Sequence, residues 1–244
     1  MCVNANLLAL SLDALGTDFP QLSAALLRES HSTTQSALDL LLPVVIASLA
    51  QKGATLRGGA EVASLIGVAK LDVSLIDNIE RLLTGPISNV NKLLKVGTIQ
   101  LIPGLFGNAS ASLVVAVSGA TGIRRRSATT LLAMLVAVVL TVTKRQILTA
   151  GRSSNTLCSL LRSQLANVRY KLDSNISSAA GILGPAEFPY QLGSQPDAGM
   201  AHADVGAHSA PGGVCATPVT EFRPAWWQSW RLARSERQML GLGN

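Results

Sequence analysis

The sequence predicts an all-α, multihelical fold, and three observations carry that prediction. Apolar residues recur at i, i+3, i+4 and i+7 through most of residues 1–184, the spacing of one helix face. Gly, Ser, Asn and Pro break these runs at intervals and mark element ends. Hydrophobic residues make up 48% of the chain but aromatics only 4%, so the apolar surface is mainly Ala, Leu, Val and Ile. Ala and Leu are strong helix formers, and few period-two alternations compete with the helical pattern.

The elements follow in order. Leu7, Leu8, Leu12 and Leu15 share a face, and Gly16 stops the run. Asp18, with Gln21 three residues later, predicts a capping pair for a helix carrying Leu22, Ala25 and Leu26. Leu38, Leu41, Leu42, Val45, Ile46 and Leu49 form a wide stripe, in which Pro43 should kink the helix or begin a new one. Further helices are expected over residues 59–66, over 74–83 before Gly85-Pro86, and around 108–118.

Residues 127–143 are the most apolar stretch, with Leu131, Leu132, Met134, Leu135, Val138 and Leu140 among them. About seventeen uncharged residues sit at the lower limit for a membrane span. Thr129, Thr130, Thr141 and Thr143 dilute the run, and basic residues flank both of its ends. Such symmetric flanks give no orientation signal. A buried core helix is the preferred reading, and an inner-membrane span through 127–143 is the alternative. The segment Leu135-Val136-Ala137-Val138-Val139-Leu140-Thr141 echoes Leu41-Leu42-Pro43-Val44-Val45-Ile46-Ala47, each after a Ser/Thr-rich helix start. Two related helical halves packed together would bury both stripes without lipid.

Composition divides the chain into three parts. Residues 1–184 read as the helical domain, and 185–224, rich in Pro, Gly, Ala and Ser, as a flexible linker. Residues 225–244 form a tail in which Trp226, Trp227 and Trp230 lie among Arg231 and Arg234. If helical, the tail sets Trp226 and Trp230 on one face. Their indoles suit a headgroup interface, with guanidinium groups reaching phosphates. The competing reading is a tail whose tryptophans dock on the helical domain.

The net charge of +6 favours anionic surfaces. Cys2, Cys158 and Cys215 are odd in number and far apart, with neither metal-type nor disulfide-framework spacing, so a reducing compartment fits best. The first residues lack a basic stretch followed by a long apolar one, so no signal peptide is expected. The cytoplasm, peripherally at the inner membrane, is the expected location.

Several tempting sites have blander explanations. Val114-Val115-Ala116-Val117-Ser118-Gly119-Ala120-Thr121-Gly122 imitates a strand entering the glycine turn of a dinucleotide-binding fold. Arg125 stands where the third glycine belongs, and no acidic residue completes the unit, so a loop between helices is preferred. His202, Asp204, His208 and Cys215 are metal-capable but lie in the linker, where nothing would orient them. His31 reads as a capping or surface residue, and Asp77 with Arg81 as an i, i+4 ion pair. Arg124, Arg125 and Arg126 lack interleaved aromatics and read as a solvated helix start rather than a nucleic-acid contact.

A resemblance adds to this reading. Asn6-Leu7-Leu8, Thr34-Gln35-Ser36-Ala37-Leu38 and Leu42-Pro43-Val44-Val45 resemble the first half of the YidB-like bacterial domain, domain of unknown function 937. Gly58-Gly59-Ala60 with Ser64-Leu65-Ile66 is similar to that family's next helix. Leu105-Phe106-Gly107, after Ile102-Pro103-Gly104, looks like its Leu-Phe-Gly motif. Ser118-Gly119-Ala120-Thr121-Gly122-Ile123 and the apolar helix beyond it resemble the second half. The resemblance covers about residues 6–184 and implies an all-helical fold with no assigned reaction. Some longer members continue through a linker and a Trp-rich transmembrane segment into an OmpA-like peptidoglycan-binding domain. Here Trp226 and Trp227 are followed instead by Arg231, Arg234, Glu236 and Arg237.

The sequence therefore predicts no enzyme and no cofactor. It predicts a non-catalytic interaction or scaffold module whose partner is a protein, a second copy of the chain, or an anionic membrane surface. No nucleic acid is expected. The alternatives are an integral membrane protein spanning through 127–143, and a nucleotide-binding enzyme using Gly119 and Gly122.

Overall fold

The computed structural model describes residues 5–68, 79–150 and 154–182. The linker, the Trp/Arg tail, Asp77, Cys2 and the metal-capable residues of 202–215 lie outside the described residues.

Helix α1 (Leu7–Leu15) starts at Asn6, whose side chain accepts from the Leu8 and Ala9 amides, and ends at Gly16 as predicted. Helix α2 (Phe19–Leu27) follows, but Asp18 makes no side-chain cap. Pro20 occupies the second helical position and removes one amide such a cap would use, and Asp18 itself is in helical conformation. Helix α3 (His31–Gly53) is continuous across Pro43, which neither ends it nor begins a new one. Proline leaves the Asp39 carbonyl without its helical donor, and Asp39 lies on the exposed face, where water can serve. Ser30 caps α3 by accepting from the Thr33 amide at 3.0 Å, and His31 is exposed beside it.

Helix α4 (Leu56–Val68) exceeds the predicted 59–66 at both ends. Helix α5 (Ile79–Thr84) is the described part of the predicted 74–83 element. Helix α6 (Ile87–Val96) then runs through a π-helical turn (Gly97–Leu101) into α7 (Ile102–Phe106). At Gly97 a Cβ would lie 2.8 Å from the Ala133 Cβ and 3.0 Å from its carbonyl oxygen, so only glycine admits this close backbone approach.

Helix α8 (Ala109–Thr121) and helix α9 (Arg125–Ala150) come next. Helix α10 (Ser154–Val168), a 3-10 turn (Arg169–Lys171) and α11 (Ser174–Ala179) complete the described chain. No strand occurs among the described residues.

Helices α3 and α9 are the axis of the fold. They pack on each other, and between them they pack on α1, α2, α4, α6, α7, α8, α10 and α11. The two echoing sequence segments thus occupy the two central helices. All residues of 41–50 and of 131–143 are buried, so both helices are apolar almost all round. Thr141 and Thr143, which dilute the apolar run, donate to the Ala137 and Val139 carbonyls at 2.7 Å within α9 and bury no unsatisfied hydroxyl. Within this fold residues 131–143 are covered by protein. By length and composition alone, α3 and α9 are also long and apolar enough to cross a membrane.

Polar ties fix the ends of the bundle. Gln164, fully buried on α10, accepts from the Leu7 amide at 2.8 Å and donates to the Ala5 carbonyl at 2.8 Å. It thereby supplies an orphan donor of α1 with a partner 157 residues away. Lys52 donates to the Gly104 carbonyl at 2.8 Å and pairs with Glu61 at 3.2 Å, joining α3, α4 and α7.

Candidate functional site

The site begins where α2 ends. Arg28 takes the left-handed conformation (φ 54°, ψ 47°), the only described non-glycine residue with positive φ. The reversal leaves the last carbonyls of α2 pointing outward without helical donors. Arg124, just before α9, fills that need: its Nη2 donates to the Leu27 and Arg28 carbonyls, both at 2.7 Å. Its Nε donates to Glu29 Oε1 at 2.6 Å, and its backbone amide reaches the same oxygen at 3.3 Å.

The exchange is reciprocal. A guanidinium caps the C-terminal end of α2, and the Glu29 carboxylate sits at the N-terminal end of α9. Both charges have the sign the helix dipoles favour. Arg124 and Ser127, hydrogen-bonding the Glu29 carboxylate, hold its pKa below the usual glutamate range, against the smaller opposing effect of burial.

Beside this knot lies a cleft of about 470 Å³ between the end of α2, α6 and the start of α9. Leu26, Leu27, Val90 and Leu94 supply an apolar wall. Arg28, Arg126 and Thr130 line it with Asn91 and the knot residues Arg124 and Ser127. Glu29, the carboxylate at this junction, is already committed to Arg124. Among the described residues neither Arg28 nor Arg126 is paired with a carboxylate, and both are exposed. The cleft thus combines an apolar wall with two uncompensated guanidinium groups, a lining suited to an anion with an apolar portion.

The residues singled out in the sequence are distributed otherwise. Trp226, Trp227, Trp230, Arg231 and Arg234 lie outside the described residues. Leu105 and Phe106 are buried in the core, and Gly107 ends α7 with φ 54° and ψ −129°, a conformation suited to glycine. Leu-Phe-Gly is therefore two core anchors and a turn, tied to α3 by the Lys52 bond to Gly104.

The dinucleotide-like segment is corrected outright. Val114 to Val117 are helical rather than strand, Gly119 lies inside α8, and Gly122 caps that helix by donating to the Ser118 carbonyl. The loop between helices is confined to residues 122–124, whereas the sequence reading places it over 114–122. Among the described residues, no glycine turn after a strand exists to cradle a pyrophosphate. Nor does any group of three His, Cys, Asp or Glu side chains converge as a metal site would. Cys158 is buried, with its thiol 3.6 Å from the Thr55 carbonyl, and burial pushes its pKa up despite the nearby Arg162.

Sequence reasoning read Arg124 as part of a solvated helix start and passed over Glu29. A signal was present: three arginines opposing a helix dipole need an anion, and Glu29 has no basic residue three or four positions away.

A family model described as "Bacterial protein of unknown function (DUF937)" matches residues 11–146, more than half of the chain. The match runs from α1 into α9. Helices α10 and α11 lie beyond it, yet they pack on the same core through α3. No curated protein and no solved structure matches the chain. The chain belongs to this bacterial family of unknown function, DUF937.

Proposed function

We propose that this chain is a non-catalytic interaction or scaffold module of the YidB-like kind, working at an anionic membrane surface from the cytoplasmic side. The observation that carries the reading is that exposed Arg28 and Arg126 line one cleft, with exposed Arg125 next to Arg126 in the chain. Lys/Arg groups near anionic lipid each add roughly 1 kcal/mol of attraction. The tail supplies the second element of such a contact, with Trp226, Trp227 and Trp230 beside Arg231 and Arg234. Some YidB-like proteins continue into an OmpA-like envelope domain, and that resemblance agrees with a place at the membrane.

Co-sedimentation with phosphatidylglycerol-containing vesicles tests this, comparing the full chain with its Trp226→Ser, Trp227→Ser, Trp230→Ser variant. Binding to anionic but not neutral vesicles, weakened by salt and by the triple substitution, is the expected result. Equal sedimentation of both forms removes the tail from the reading, and no sedimentation of either removes the membrane.

A second reading rests on hydropathy: α3 and residues 125–149 of α9 have the length and composition of spans. Carbonate extraction separates the two, because a spanning chain stays with the membrane pellet whereas a peripheral one is released.

A further inference from the structure

We propose that the cleft between α2, α6 and α9 is a binding site for a phosphate ester carrying a short apolar group. The proposal deepens the anionic-surface reading by assigning its ligand class to one cleft. Four features on three elements converge there.

The first is shape. A space of about 470 Å³ falls within the range of small-ligand sites, roughly 300–1,000 Å³, and corresponds to about fifteen water-sized groups. The second is charge: Arg28 and Arg126 line the cleft from two different elements without carboxylate partners among the described residues. Planar guanidinium groups match phosphate oxygens in pairs of hydrogen bonds.

The third feature is the way Arg124 is used. Its guanidinium is held by Glu29 and by two carbonyls, so it braces the α2–α9 junction and leaves the other two arginines for a ligand. The fourth is the wall, where half-buried Leu26, Leu27 and Leu94 present apolar surface that a bare phosphate would leave uncovered and an ester's carbons would cover. Arg28 strengthens the case. A glycine would fit its left-handed backbone with less strain, but only a long cationic side chain lines the cleft.

The same chemistry is offered by a bilayer headgroup and by a free phosphorylated metabolite. Calorimetry on the full chain with monomeric hexyl phosphate, with inorganic phosphate and hexanol as controls, tests the site directly. Saturable binding of hexyl phosphate, tighter than either control, is expected. Arg28→Gly should weaken it by about tenfold or more, the scale of one lost charged hydrogen bond. The same variant should melt no lower than the parent, because glycine suits that backbone. A lower melting temperature would overturn the assignment of strain to Arg28, and Arg126→Ser then supplies the equivalent binding test.

Phosphatidylglycerol vesicles form the second arm. Weaker vesicle binding by Arg28→Gly identifies a headgroup as the source, and unchanged vesicle binding with lost hexyl phosphate identifies a free ester. Absent saturable binding, or equal binding by the parent, Arg28→Gly and Arg126→Ser, overturns the site. Inorganic phosphate binding as tightly as hexyl phosphate overturns the apolar part. Vesicle binding lost only in the triple tryptophan variant bears on the membrane reading and leaves this site judged by hexyl phosphate alone.

Discussion

At the scale of single residues, the junction of α2 and α9 shows charge and backbone conformation acting together. Arg28 holds a left-handed backbone that costs an L-residue about 1–2 kcal/mol. Glycine relieves that strain but gives back part of the gain as chain entropy. Arg28→Gly should therefore stabilise the protein by up to about 1 kcal/mol in urea denaturation. Glu29 behaves differently. Its folded pKa is depressed, so its contribution is full above the ordinary glutamate range and disappears as pH falls through the lowered value. Glu29→Gln should be less stable than the parent at pH 7, by no more than about 1 kcal/mol for a pair whose arginine is exposed. The gap should close in acid, below the ordinary glutamate range. A constant gap across that range would show that geometry rather than charge matters at this position.

At the scale of elements, chain reversals decide what the helical pattern leaves open. The apolar periodicity placed α1, α3 and α9 correctly because burial of a continuous stripe dominates each of them. It failed at Asp18, where Pro20 removes an amide. At Pro43 no new helix begins, because one lost hydrogen bond is outweighed by burial along a helix of 23 residues. The Leu-Phe-Gly motif is such a reversal. A Cβ at Gly107 would meet nothing within 4 Å, so alanine there faces only the backbone cost. Gly107→Ala should destabilise by about 1–3 kcal/mol, measured by thermal or urea denaturation, without disturbing helix content. A neutral effect would show that α7 and α8 can be joined in another conformation.

At the scale of the whole molecule, stability should be concentrated in the α3–α9 pair. Leu135 is fully buried in α9, and Leu135→Ala should cost about 2–5 kcal/mol. Loss of helical circular dichroism in one cooperative transition is the expected readout, because the two helices touch nearly every other described element. The candidate cleft belongs to this scale as well. Its lining comes from residues 26–28, 90–94 and 124–130, three stretches with no shared local pattern. Only the packing of α2 and α6 against the start of α9 brings them together.

The sequence alone determined that the chain is helical, where its long apolar helices lie, and which family it resembles, since periodicity and composition are local properties. It also marked Gly16 as a stop, because glycine acts on its own backbone. Tertiary structure decided the rest. It turned a basic run that opposes its own helix dipole into a cap for α2 through Arg124, 95 residues from Glu29. It resolved the strand-like Val114-Val115-Ala116-Val117 as helix, since α8 packs on α3, α9 and α11 and needs no sheet. Residues 131–143 of the long apolar run are covered by α3 and its neighbours, a fact no single segment contains.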